Sequence, residues 1–279
     1  MKRLILLVGV CGVVLSAGAA GWLWLLPPNQ ERALARLRQL GGKVHVEESY
    51  RDRPVVKVDL KDCPAGDDDL SYLTAFPRLQ YVMLSGTRIT SGGLKKLPGL
   101  KQLRGLALSG SAAGGDGLRH LAGMAGLREL HLENTTLDDA GLIHLGRLVG
   151  LETLELVDVV IADNGLRQLS GLLNLQRLSL HNTAITDAGL VHLSGLRTLE
   201  ELSLDSPRIT DAGLIHLKEL KNLQELSLAC AGVTDAGLTH LKGLTRLREL
   251  DLGGTRITEA GLAELRKALP GAFIYRTTP

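Results

Sequence analysis

The chain has 279 residues, 44% of them apolar but only 3% aromatic, so the Trp and Tyr anchors of a strong interface are scarce. Its formal charge of +2, from 32 basic and 30 acidic side chains, hides an asymmetry between faces that emerges once the residues are sorted by position. Three cysteines, Cys11, Cys63 and Cys230, exclude a disulfide framework: Cys11 lies in an apolar run, and the other two are separated along the sequence by too many repeating units to meet.

In chain order, Lys2 and Arg3 precede an uncharged, mostly apolar run from Leu4 to Leu26, which Pro27-Pro28 ends. That run is long enough to span a bilayer of about 30 Å, with the basic pair left on the cytoplasmic side and Trp22 and Trp24 at the far interface. Residues 1–28 are therefore expected to be a signal-anchor or transmembrane segment. The alternative is a signal peptide cleaved at the small residues Ala17-Gly18-Ala19, which would leave an apolar Gly-Trp-Leu-Trp terminus on a secreted protein. Cys11 is a poor lipoprotein cysteine, because Val10 stands where a small residue is wanted. Either main reading places the rest of the chain in the periplasm or outside the cell.

Residues 29–54 read as an N-terminal cap. Ala33, Leu34, Leu37 and Leu40 have helical spacing within Glu31 to Leu40, Gly41-Gly42 stops the helix, and Lys43 to Val46 reads as a short strand. From residue 55 to 279 one interval governs the chain: leucine recurs every 24 residues at Leu70, Leu94, Leu118, Leu142, Leu166, Leu190, Leu214, Leu238 and Leu262. A fixed period of this length means stacked units in place of a single globular core. In the unit Leu175 to Thr198, the skeleton is L-x-x-L-x-L-x-x-T-x-I, and Leu178-Ser179-Leu180 alternates as a strand with one buried face. Equivalent triplets, Val58 to Leu60 through Leu250 to Leu252, predict nine strands, with a closing strand near Ile274. In Ile185-Thr186-Asp187-Ala188-Gly189-Leu190, Thr186 suits an N-cap, Asp187 the positive end of a helix dipole, and Ile185 with Leu190 a hydrophobic staple.

These residues resemble the leucine-rich repeat family, whose L-x-x-L-x-L-x-x-N/C/T signature is matched by Leu175, Leu178, Leu180 and Thr183. The ITDAGL half, at 185–190 and 209–214, resembles the cysteine-containing subclass and many bacterial proteins with similar repeats. The resemblance covers roughly Val55 to Pro279. It implies an α/β solenoid, curved, with a parallel sheet on the concave side and short helices on the convex side, and binding by the concave side. It implies no activity, because a fold does not specify a function.

Side chains that alternate with the buried leucines face the concave side. Acidic residues predominate there: Asp59, Glu129, Glu133, Glu155, Glu201, Asp205, Glu225, Glu249 and Asp251 stand against Lys57, Lys61 and Arg177. Many basic residues, among them Arg88, Arg119, Arg167, Arg208, Lys218, Lys242, Arg256 and Arg266, fall on the loop and helix side. Glu201, Glu225 and Glu249 form one column, read either as a site for a basic partner or as a solvated face. Tyr81 and Met83 add a small apolar patch beside the side-chain-poor Gly105, Ala107 and Ser109. The candidate binding residues are Tyr81, Met83, Glu129, His131, Glu155, Arg177, Glu201, Asp205, Glu225, Glu249 and Asp251. The sign of this face disfavours nucleic acid.

Other apparent motifs follow the period. His120, His144, His192, His216 and His240 occupy one helical column, but packed helices lie about 8–10 Å apart, too far to share one metal ion. One Asp per unit does not supply the converging oxygens of a Ca²⁺ site. No H-E-x-x-H, C-x-x-C, G-x-S-x-G, P-loop or dinucleotide fingerprint occurs, so no cofactor is expected. The expected function is a membrane-anchored extracytoplasmic binding module for a protein, peptide or glycan. The alternative is a structural envelope protein that self-associates or contacts wall material; an enzyme using His131 or His181 comes third.

Overall fold

A computed structural model describes residues 13–14, 26–50, 52–230 and 232–276. Among these, twelve strands form a single sheet whose spatial order is the chain order. The strands are β1 (Val13–Val14), β2 (Lys43–Val46), β3 (Val55–Asp59), β4 (Tyr81–Met83), β5 (Gly105–Ala107), β6 (Glu129–His131), β7 (Thr153–Glu155), β8 (Arg177–His181), β9 (Glu201–Asp205), β10 (Glu225–Leu228), β11 (Glu249–Asp251) and β12 (Phe273–Tyr275). β1, β2 and β3 pair antiparallel; from β3 to β12 every pairing is parallel.

Each residue pairs with the one 24 positions on, as Leu178 with Leu202 and Leu202 with Leu226. The sheet therefore sorts the sequence into columns. The column Val58, Val82, Leu106, Leu130, Leu154, Leu178, Leu202, Leu226, Leu250 and Ile274 is buried throughout, as are the second leucines, Leu84 to Leu252. The paired segments begin one residue ahead of the apolar triplets, at Tyr81 in place of Val82, because the residue before the first leucine also joins the ladder. Backbone bonding continues past the strand, with Leu84 N–H donating to Ala107 O at 2.8 Å and Gly86 N–H to Ser109 O at 2.8 Å.

The chain leaves the sheet through a column that adopts positive φ: Asp62 (59°), Gly86 (69°), Gly110 (69°), Asn134 (50°), Asp158 (55°), Asn182 (51°) and Gly254 (69°). Gly, Asn and Asp are the residues that enter this region at least cost. Short helical segments then follow each of β3 to β11, of α or 3-10 type or one joined to the other, such as Asp139–Leu145 and Gly93–Gly99.

At the N-terminal end, α1 (Pro28–Gln39) starts with Pro28 at its first position, where a missing N–H costs nothing, and buries Ala33, Leu34 and Leu37. It stops at Gly41, φ 85°, with Gly41 N–H donating to Arg38 O and Gly42 N–H to Leu37 O, each 2.9 Å, the two bonds of a Schellman motif. Arg36 Nε reaches Asp69 Oδ1 at 2.7 Å and ties the helix to the first unit. The apolar run expected to cross a membrane lies outside the described residues, apart from Val13, Val14 and Leu26. Among the described residues, no helix is long and apolar enough to cross a membrane.

Neighbouring units are joined by a polar clamp. Thr186 caps its helix, its hydroxyl accepting from Ala188 N–H, while its own N–H and O–H donate to the two carboxylate oxygens of Asp163, at 2.8 and 2.6 Å. The same pair of bonds joins Asp187 to Thr210, Asp211 to Thr234, Asp235 to Thr258 and Asp67 to Thr90. The glycine of each T-D-A-G run follows from this clamp. A Cβ on Gly213 would collide with Asp187 Oδ1, and one on Gly237 with Asp211 Oδ1.

Hydrogen bonds to a charged group contribute roughly 1.5–3 kcal/mol. Asp187→Ala should therefore cost about 2 kcal/mol, and Gly213→Ala should destabilise by a similar amount through the collision. In the double variant the carboxylate is gone, so chemical denaturation should give less than the summed loss; strict additivity would show that the glycine has another role.

The concave sheet face as a candidate binding surface

The first concave column runs Lys57, Tyr81, Gly105, Glu129, Thr153, Arg177, Glu201, Glu225, Glu249 and Phe273. The column two residues later runs Asp59, Met83, Ala107, His131, Glu155, Ser179, Ser203, Ser227, Asp251 and Tyr275. All eleven candidate residues fall on these columns except Asp205, which lies one further step along β9. They do not form one cluster; apart from Asp251 on β11, the sheet gathers them into three groups.

The first group spans β4 to β8. Gly105 and Ala107 are buried, and the ring of Tyr81 occupies the space that a side chain on Gly105 would need, with Glu129 Oε2 beside it. The side-chain-poor strip is thus covered by a neighbouring ring. His131 Nδ1 meets Glu155 Oε2 at 2.6 Å, both side chains largely buried. Burial alone would lower the affinity of His131 for a proton, but the bond to Glu155 and the charges of Glu155, Glu129 and Glu133 outweigh it, and its pKa rises. Glu155 moves down despite burial, because His131 bonds to it. Glu129 is pushed up by burial, and Glu133 by burial and then by the hydrogen bond it shares with Glu155. Arg177 lies near enough for its charge to offset part of this on Glu129 and Glu155, and it reaches Glu201 Oε1 at 3.7 Å.

The second group is His181, Ser203 and Asp205. His181 Nδ1 lies 3.4 Å from Asp205 Oδ2, and its Nε2 is hydrogen-bonded to Ser203 Oγ. That is the order of nucleophile, base and orienting acid, but a hydrolase also needs donors aimed at an oxyanion. Here the backbone N–H groups lie in the plane of the ladder between β8, β9 and β10, so they do not point at a carbonyl above Ser203. The third group is the column Glu201, Glu225 and Glu249, in register on adjacent strands. Tyr275 donates its hydroxyl to Glu249 Oε1 at 2.7 Å. Tyr275 is a concave residue that the sequence reading left out; it stands 24 positions after Asp251, so the period itself was the signal.

Among the described residues, no group of three or more His, Cys, Asp or Glu side chains is arranged to hold a metal ion. Cys63 and Cys230 are free thiols. Burial pushes Cys230 up to about 11, which keeps it an unreactive thiol. Cys63 is only half-buried.

Comparison with known proteins bears on the unit and on the architecture. Residues 219–241 match the family model described as Leucine Rich repeat. That stretch matches a leucine-rich repeat. Solved structures of similar fold include internalin C2 of Listeria monocytogenes, 22% identical over 90% of this chain and 93% of the internalin, with a TM-score of 0.55. A second Listeria internalin, inlF, is 18% identical over 92% of both chains, with a TM-score of 0.53. A leucine-rich repeat protein of Leptospira interrogans is 20% identical over 74% of this chain and 62% of that one, with a TM-score of 0.54. No curated protein sequence matches the chain. These leucine-rich repeat likenesses concern the fold.

The His131–Glu155 pair makes stability depend on pH. A histidine whose folded pKa is raised above its ordinary 6.5 adds stability that is complete below that value and lost as pH climbs through the folded pKa. Glu155→Gln should therefore cost about 1–3 kcal/mol at pH 6 and clearly less at pH 9, measured by thermal melts. An equal loss at both values would mean that His131 is neutral in the folded protein.

Proposed function

We propose that the chain is an extracytoplasmic binding module that presents its concave sheet to a protein partner of basic character. The supporting observation is the in-register acidic surface: carboxylates recur along β6, β7, β9, β10 and β11 while Arg177 is the cation among them. Like charges on adjacent strands oppose folding by about 0.2–1 kcal/mol per pair. A solvated face without a partner needs no such arrangement. A cationic partner turns the cost into attraction and speeds encounter. Peptides share that chemistry; the low aromatic content suits an interface that is polar and readily reversed. The ITDAGL runs further relate the repeats to the cysteine-containing subclass.

Reversing Glu201, Glu225 and Glu249 to Lys should abolish capture of basic proteins from an envelope extract. Unchanged capture would remove the concave ladder from the interface.

A second reading, self-association, is supported by the exposure of Arg88, Arg119, Arg167, Arg208, Lys218, Lys242, Arg256 and Arg266 on the helix and loop side. One copy's basic side then complements another's acidic sheet. Sedimentation across salt concentrations separates the two: a species that dissociates into monomers as salt rises supports self-association.

The extracytoplasmic location rests on the apolar run from Leu4 to Leu26 with Lys2 and Arg3 before it. An uncleaved anchor predicts that the full-length chain stays in the membrane pellet after alkaline extraction. Release of a chain that begins after Ala19 would instead establish secretion, and recovery of the intact chain in the cytosol would overturn both.

A further inference from the structure

Polar groups lie buried and unanswered at one place on the concave face. Thr153 is 4% exposed, and among the described residues its Oγ1 has no hydrogen-bond partner. Leu154 points into the core, so Thr153 and Glu155 share the concave side of β7, and register sets Thr153 between Glu129 and Arg177. A buried hydroxyl left unpaired is costly, and such a group in a folded protein calls for a reason. His131 Nε2, one strand away, is likewise buried without a partner. Beside them stand Glu129, leaning toward the ring of Tyr81 over Gly105, and Glu133, bonded to Glu155.

We infer that Tyr81, Glu129, His131, Glu133, Thr153 and Glu155 form a subsite for an arginine side chain presented by the protein partner. This rests on the binding function proposed above. The cluster offers acceptors and an aromatic face, which is what a guanidinium requires: it carries five donors in a planar fork, has no acceptor, and stacks on rings. Acidic side chains on adjacent strands start about 4.8 Å apart, and those two residues apart on one strand about 6.6 Å apart. A branched planar cation bridges that spread better than a compact ammonium. The carboxylates are not arranged to hold a metal ion, which disfavours a divalent cation as the occupant. His131 Nδ1 is taken up by Glu155, so its buried, unpartnered Nε2 is left for a polar group of the same partner.

The full chain in detergent is titrated calorimetrically with a blocked peptide of alternating Gly and Arg, with the same peptide carrying citrulline for arginine, and with spermidine. The arginine peptide should bind, and the citrulline peptide at least about tenfold more weakly, since citrulline keeps the shape and loses the charge. Glu129→Gln and Thr153→Val should each weaken arginine binding by about tenfold, while Glu219→Gln, exposed on the helix side, should not. Thr153→Val removes a hydroxyl that has no partner in the fold, so its melting temperature should hold or rise, and lost affinity is then not unfolding.

Equal binding of the citrulline peptide, or unchanged binding by Thr153→Val, overturns the assignment. Tighter, competing binding of spermidine reassigns the cation to a polyamine. If the arginine peptide fails to bind while Glu201, Glu225 and Glu249 still capture basic proteins, the subsite falls and the broader function stands.

Discussion

None of the described repeat units has a core of its own. Each leucine of a strand or helical segment is covered only because the units before and after place the same residue type at the same height, so everything depends on parallel, in-register stacking at 24 residues. That constraint sets both faces of the sheet together. Burying one leucine contributes roughly 1.5–3 kcal/mol, whereas neighbouring like charges cost about 0.2–1 kcal/mol. The leucine column beneath β9, β10 and β11 therefore outweighs the glutamates above it. Such a scaffold can carry an unfavourable surface without losing its fold.

Polar contacts refine the stack without driving it. Each clamp uses one carboxylate for two donors of the next unit, and the glycine that follows makes room for it. Clamping is not uniform. Between residues 91 and 162 the same level is held by Ser91 Oγ donating to Gly114 O at 2.7 Å, and by Asp139 accepting from the Ala162 N–H alone at 2.8 Å. Among the described residues, the segments that carry β5, β6 and β7 are thus held at this level without the two-bond Asp–Thr clamp.

Much of the architecture was legible because its signals are local. Alternation across Leu178-Ser179-Leu180 needs no knowledge of the rest of the chain, and neither does the stop at Gly41-Gly42. The side of the sheet on which each candidate residue stands follows directly from that alternation. What sequence reasoning missed depends on contacts between units. Asp187 suits the helix dipole, a sufficient local role, and its bonds to Thr210 exist only when two units stack. Similarly, Gly105 belongs to a side-chain-poor strip in the sequence, and only the stacked strands show the Tyr81 ring lying across it. The unpaired hydroxyl of Thr153 and the His181–Ser203 contact depend on rotamers, which the period does not specify.

The clamp has a further consequence for how such a chain changes over generations. From Asp163 to Thr258, each unit ends in the carboxylate that the next unit's threonine requires, so these units are interchangeable parts. Recombination that duplicates or deletes one of them still joins an Asp to a Thr at the new boundary. The segments between residues 91 and 162 have no such common joint, and a crossover there would bring mismatched partners together. The clamp thus lets the array gain or lose length under its acidic ladder, whereas a crossover within the surface from Tyr81 to Glu155 would lack a matching joint.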